Sequence, residues 1–250
     1  MWELKFITRE DLKQHIKNTI STYERTLDGI DLAKFNSNIV DPVKMVFDSK
    51  VYRKSFDEVI KDELVRQRDK TNSNAIGYFH QNIFKYIKNC EVPPKGFDVI
   101  YTKKNGRKIY VEMKNKHNTM NSSSSQKTYM RMLNKIVADE KAECFLVEAI
   151  AKSSQNIIWK VSIDGEKVEN ERIRRVSMDK FYEMVTGDKD AFYKVCMELP
   201  MLIDEIINEN KELQVGTDTV IDELREKNPD LLKALYLLAF KEYEGFDKIK

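Results

Sequence analysis

Two acids and a lysine interrupt an otherwise apolar stretch, FDVIYTKKNGRKIYVEMKNKHN, at residues 97–118. Val99, Ile100, Tyr101, Ile109, Tyr110, Val111 and Met113 are residue types of strands buried on both faces, and Asn105-Gly106 is a hairpin signal. Into that setting fall Asp98, Glu112 and Lys114. Glu112 and Lys114 are two apart on a strand, so both point to one face. The side taken by Asp98 depends on the turn. A two-residue Asn105-Gly106 loop pairs residues whose numbers sum to 211 and sets Asp98 opposite Met113. A three-residue Lys104-Asn105-Gly106 loop, with Gly106 left-handed in a G1 bulge, makes the sum 210 and sets Asp98 opposite Glu112. We expect the three-residue loop. Two carboxylates brought to roughly 5 Å between Cβ atoms repel unless a cation sits between them. Hard oxygen donors with room for water suit Mg²⁺, and the chemistry implied is metal-assisted hydrolysis.

Taken alone, an acid on one strand and Glu-x-Lys on the next is common, and Glu112–Lys114 is equally readable as a surface ion pair. Three features favour a site. The flanking strands are too apolar for a solvent-exposed face. A loop rich in amides and hydroxyls follows at once. The local charge is also strongly positive: residues 95–135 carry ten lysines and arginines against Asp98 and Glu112, whereas residues 201–250 carry seven basic against twelve acidic groups, in a chain of net charge +2. A basic segment in a near-neutral chain points to a local polyanion site, because phosphate contacts dominate nucleic-acid affinity; a solvated lysine-rich face is the plain alternative.

The elements around this hairpin are legible. A chain of 250 residues, 41% hydrophobic, can bury a substantial core. No stretch has the length of a membrane span, and the charged start MWELKFITREDLKQ is unlike a signal peptide. Cys90, Cys144 and Cys196 are odd in number and lack CxxC spacing, which suggests reduced thiols and a cytoplasmic location. Residues 1–92 read as helical: Leu12, Ile16, Ile20 and Tyr23 recur at helical spacing behind a Thr8 N-cap, Asp41-Pro42 marks a break, and Ile76, Phe79, Ile83, Phe84 and Ile87 form a later apolar stripe. After the hairpin we expect a polar loop (115–125), a helix near 126–139, strands at AECFLVEAIA and NIIWKVSI, an Asp164-Gly165 turn and a short strand at RIRRVS. From Met178 onward the chain reads helical, with Pro200 and Pro229 as breaks or helix starts. Phe145 and Trp159 belong to the core. The expected fold class is α/β, a mixed sheet flanked by helices. The expected organisation is one domain over 1–210 (helical 1–92, α/β core 93–176, helical 177–210), followed by an acidic helical extension over 211–250.

Asp98 with Glu112-Met113-Lys114 resembles the signature of the PD-(D/E)XK nucleases, with Phe97 where the name has proline. NIVDPVKMVFD (38–48), NAIGYFHQNI (74–83), VEMKNKHNTM (111–120) and RIRRVSMDKFYEMVTGDKDAFYKV (172–195) together resemble type II restriction endonucleases that read GGNCC, over about residues 5–210. The resemblance implies a restriction-endonuclease-like core, double-stranded DNA as substrate, 5′-phosphate and 3′-hydroxyl products, a homodimer, and a cognate DNA methyltransferase as genetic partner. It implies catalytic roles for Asp98, Glu112 and Lys114, with Asp98, Glu112 and the Met113 carbonyl holding Mg²⁺. Base-reading residues do not carry over. A structure-selective repair or resolving nuclease on the same core, or a catalytically silent nucleic-acid-binding module, are the competing readings; the intact acid–acid–lysine trio speaks against the last.

Candidate DNA contacts are Asn115, Lys116, His117, Asn118, Thr119, Ser123, Ser124, Lys127 and Arg131, because amides, hydroxyls and cations reach phosphates and bases. Arg172, Arg174 and Arg175 join them, since arginine bidentate to guanine is the commonest specific contact; each is equally readable as a solvated arginine. Asn74, Gly77, His80 and Gln81 share a helix face, and Asn74 and Gln81 are expected to back the metal site. No HxxxH or HExxH spacing makes His117 a metal ligand.

Overall fold

The structure is a computed structural model that describes residues 2–117, 119–209, 216–240, 243 and 248–249. The chain divides into two compact units, Met1–Thr19 with Ala75–Lys211 and Ile20–Asn74 with Glu212–Lys250. One break, at 211/212, lies beside the boundary expected at 210/211, and residues 20–74 group with the C-terminal segment.

The first unit carries a six-stranded mixed sheet in the order β1-β2-β3-β4-β6-β5. The strands are β1 (Cys90–Glu91), β2 (Val99–Thr102), β3 (Lys108–Lys116), β4 (Glu143–Ile150), β5 (Asn156–Ile163) and β6 (Glu166–Ser177). β1–β2–β3 are antiparallel, β3–β4 and β4–β6 parallel, and β5–β6 antiparallel. The Asp164-Gly165 turn joins β5 to β6 with both residues at positive φ, as a two-residue hairpin turn demands. That turn extends RIRRVS into a twelve-residue strand.

One sheet face is covered by α5 (Ser122–Ala138). Tyr129, Met132 and Ile136 of the helix pack on Tyr110, Cys144, Leu146, Trp159 and Ile173 of the strands. Each such burial contributes about 1.5–3 kcal/mol. α5 starts four residues earlier than expected. The Asn121 side chain accepts from the Ser124 amide, so this N-cap draws the serine run into the first turn rather than leaving it as a loop. The opposite face carries Val99, Val111, Phe145, Val147 and Val176, all fully buried, with α6 (Met178–Thr186) against β4 and β6. α7 (Ala191–Glu209) runs through Pro200, which therefore breaks no element. α1 (Arg9–Glu24) begins after Thr8, whose hydroxyl accepts from the Asp11 amide at 3.0 Å.

The second unit has its own apolar core. Phe35 of α2 (Leu32–Asn36), Met45 of α3 (Pro42–Tyr52), and Val59, Ile60 and Leu64 of α4 (Phe56–Asn82) meet Val220 and Leu224 of α8 (Val220–Lys227) and Leu231, Ala234 and Leu235 of α9 (Leu231–Phe240). The acidic C-terminal segment is thus a structural half of this unit: Asp218 pairs with Arg68 and accepts from the Ile30 amide. The last residues of α4, with the short 3-10 turn Ile83–Tyr86, belong to the first unit. Among the described residues, no helix is long and apolar enough to cross a membrane, and Cys90, Cys144 and Cys196 are free thiols.

Candidate active site

The β2–β3 turn has three residues. Lys103 N donates to Arg107 O at 2.8 Å, Gly106 N to Lys103 O at 2.9 Å, and Gly106 has φ +79. The resulting register pairs Val99 with Val111 and Ile100 with Tyr110. Just before β2, Asp98 N donates to Val111 O at 2.8 Å, outside the regular register, and its carboxylate lies close enough to Glu112 to feel that charge.

β2 has not yet begun at this point, and Asp98 turns its carboxylate to the edge of β3. Its Oδ2 accepts from the Met113 amide at 2.7 Å. In an antiparallel strand a residue's N–H and C=O point to the same edge, so the Met113 carbonyl is directed to the side on which Asp98 lies. Gln81 Nε2 donates to the Asp98 carbonyl at 3.3 Å, tying the end of α4 to the start of β2. Burial pushes the Asp98 carboxyl above its ordinary value, helped by the charge of Glu112, while the Met113 N–H, Lys114 and Arg131 pull it down.

Glu112 is held from two sides. Lys114 Nζ donates to Oε1 at 2.9 Å, and Arg131 of α5 pairs with Oε2. The Arg131 guanidinium also lies over the Phe97 ring, 4.7 Å from its centroid, a cation–π contact that steadies it on this face. Among the described residues no cluster of three or more His, Cys, Asp or Glu side chains gathers for a metal. A cation here would draw on two carboxylates, the Met113 carbonyl and water. That is an all-oxygen donor set suited to Mg²⁺, and the two cations already drawn to Glu112 display the site's demand for positive charge.

The parallel ladder carries the polar band further across the sheet. Glu112 is in register with Leu146, Lys114 with Glu148, and Leu146 with Arg175. The α5-covered face is therefore apolar at Tyr110, Cys144 and Ile173 and charged at Glu112, Lys114, Glu148 and Arg175. Glu148 is only 1% exposed, and its carboxylate meets Arg175 and His117. Nothing in the sequence reading singled out Glu148, although the signal was the same as for Glu112: an acid inside an apolar strand, AECFLVEAIA.

The remaining candidates are dispersed. Lys116, Thr119, Ser123, Ser124 and Lys127 are exposed beside the C-terminal end of β3 and the N-terminal end of α5, and Asn118 lies outside the described residues. Asn115 is on the opposite sheet face, where a Cβ on Gly77 would come within 3.2 Å of its Oδ1, so this glycine permits the close approach of α4 to β3. Asn74 is exposed and falls in the other unit. Arg172 donates to the carbonyls of Ile136, Asp139, Glu140 and Ala142 at the end of α5, and Arg174 to the Asn156 side chain and carbonyl. Arg175 faces Glu148.

Comparison with known proteins matches residues 4–208 to the Eco47II restriction endonuclease family. The chain belongs to this family. It is 34% identical over 222 residues to the type II restriction enzyme Sau96I of Staphylococcus aureus, covering 86% of this chain and 84% of that one. It is 27% identical over 216 residues to the type II restriction enzyme Eco47II of Escherichia coli, covering 82% and 89%. As a member of the Eco47II family the chain is a type II restriction endonuclease, a site-specific deoxyribonuclease. The matched span takes in the whole β2–β3 hairpin, α5 and β4–β6.

Proposed function

We propose that this endonuclease cleaves double-stranded DNA at GGNCC with Mg²⁺ as cofactor, on a PD-(D/E)XK core, leaving 5′-phosphate and 3′-hydroxyl ends. The observation that carries the chemistry is the Asp98 carboxylate bonded to the Met113 amide beside Glu112, with Lys114 donating to Glu112. The sheet order, with an antiparallel hairpin feeding two parallel strands, agrees with such a core. The GGNCC site rests on the resemblance of residues 38–48, 74–83, 111–120 and 172–195 to enzymes of that specificity.

Asp98, Glu112 and the Met113 carbonyl hold the ion in this reading. The ion, when bound, lowers the pKa of water and neutralises charge on the phosphoryl group. Lys114 contributes a compact positive charge beside Glu112; its Nζ orients the attacking water and a scissile phosphate oxygen. Arg131, released from Glu112, is placed to meet a neighbouring phosphate, and Lys116, Thr119, Ser123, Ser124 and Lys127 present donors along the same edge. A near-palindromic site is most simply read by a two-fold dimer, one active site per strand. A methyltransferase of the same specificity protects the host genome.

Plasmid digestion with Mg²⁺, with chelator as control and sequencing of the ends, tests the reading. Cuts confined to GGNCC with 5′-phosphates are expected. Equal cutting in chelator, or cuts unrelated to sequence, would overturn it. Sizing on cognate duplex is expected to give two subunits per site; one subunit would replace the dimer with sequential nicking.

A further inference from the structure

Glu148, Arg175 and His117 form a buried charged group that the cleavage chemistry above does not use. It joins β4, β6 and the residue that follows β3, and it adjoins Lys114, whose register partner is Glu148. The side chains of Glu148, Arg175 and His117 are 2%, 20% and 18% exposed. His117 is anchored by its backbone as well, N–H to Ile150 O at 2.8 Å. Such a group is costly to bury, and apolar side chains of similar volume would often hold the strands as well.

The contacts decide the imidazole's protonation. Arg175 NH2 lies 2.6 Å from His117 Nδ1 and also meets Glu148 Oε1. A guanidinium only donates, so each of its two hydrogens takes one acceptor, and Nδ1 must be an acceptor. The second contact of Nδ1, 3.2 Å to Glu148 Oε2, would require it to donate. One nitrogen cannot do both, and the shorter contact, to an obligate donor, prevails. His117 is then the neutral tautomer with its proton on Nε2, on the ring edge turned away from Arg175.

We propose that Glu148 and Arg175 are positioning residues that lock His117 as the Nε2–H tautomer, and that this N–H donates to a DNA phosphate oxygen next to the one at Lys114. Glu148 holds Arg175 in place, Arg175 holds Nδ1, and Nε2 becomes a fixed neutral donor at the end of the basic edge that includes Lys116. A fixed donor of this kind fixes DNA register without adding charge. The assignment rests on the reading of this face as the DNA-cleaving one.

Two measurements on the full chain test it. The first is ¹⁵N-histidine NMR near pH 8, with the His117 signal assigned among three histidines by its loss in His117→Gln. A proton on Nε2 is expected, and a proton on Nδ1 overturns the proposal. The second is binding of a cleavable duplex in chelator. A glutamine amide nitrogen stands where Nε2 stands and an asparagine amide nitrogen where Nδ1 stands, so His117→Gln should bind within about twofold of wild type. His117→Asn and His117→Ala should bind about tenfold more weakly. Glu148→Gln should weaken binding in the wild-type background and add nothing in the His117→Ala background. Equal effects in both backgrounds, or unaltered binding by His117→Ala, overturn it. If Glu112→Gln still cleaves while these results hold, the cleavage reading fails and the tautomer assignment stands.

Discussion

Asp98 turns its carboxylate to the strand that carries Glu112, Oδ2 accepting from the Met113 amide at 2.7 Å, in a hairpin whose register is set by a turn of three residues rather than two. With β2 beginning only at Val99, the Asp98 carboxylate is free of the ladder and accepts from the Met113 amide. A single residue in a surface turn thereby decides whether the two acids meet.

Inserting one glycine between Lys104 and Asn105 tests this directly. With a three-residue turn kept, Lys104 then pairs with Arg107, the pairing sum becomes 211, the Asp98 carboxylate moves away from Glu112, and cleavage should be lost while the sheet persists by circular dichroism. Gly106→Ala keeps the register. At φ +79, with open space around the added methyl, it should cost only backbone strain, about 1 kcal/mol in a urea titration.

Glu112→Gln should abolish Mg²⁺-dependent cleavage while DNA binding stays equal or tightens, since a negative charge leaves the neighbourhood of phosphate. Lys114→Ala should also stop cleavage, but with slightly lower affinity and a salt slope reduced by about one. Plasmid cutting by Glu112→Gln at the wild-type rate would reduce Glu112 to a partner of Lys114 and Arg131.

Arg172 donates to four carbonyls around the end of α5. Arg172→Ala should lower stability by about 1–3 kcal/mol, because those carbonyls lose a charged donor. The ratio of cognate to non-specific binding should not move; a loss of discrimination without a loss of stability would return this arginine to base reading.

Burial lowers the His80 pKa to about 4, with the nearby His15 adding to the effect, and His15 itself is lowered by burial. The folded state therefore holds both rings neutral, while the unfolded chain takes up protons below about pH 6.5. Stability should be full above that pH and fall as pH drops towards 4. The loss for His80 alone is about 2 kcal/mol at pH 5. Urea midpoints at pH 7.5 and 5.0 should differ accordingly, and His80→Gln should flatten the difference; equal wild-type midpoints would contradict neutral burial.

Much of the site was readable from residue types. Apolar strands interrupted by Asp98, Glu112 and Lys114, a glycine where a bulged turn needs one, and the Thr8 N-cap are all local signals, and local chemistry is what a sequence displays. The extents of β6 and α5 were less legible. A hairpin partner lengthens the first, and the Asn121 cap starts the second ahead of its apolar stripe.

Other features depended on which segments meet. Residues 20–74 and 212–250 share a core although neither stretch announces the other, because helical stripes specify a buried face but not its partner. The same holds for the charged face. Strand alternation alone determined that Glu112 and Lys114 lie together, since the period of two is a property of the backbone. Only the parallel pairing of β3, β4 and β6 decided that Lys114 lies beside Glu148 and that Arg175 turns inward to Glu148 and His117. Register between strands distant in sequence is set by the packed core, where a one-residue slip would bury every exposed side chain, and no local signal encodes it.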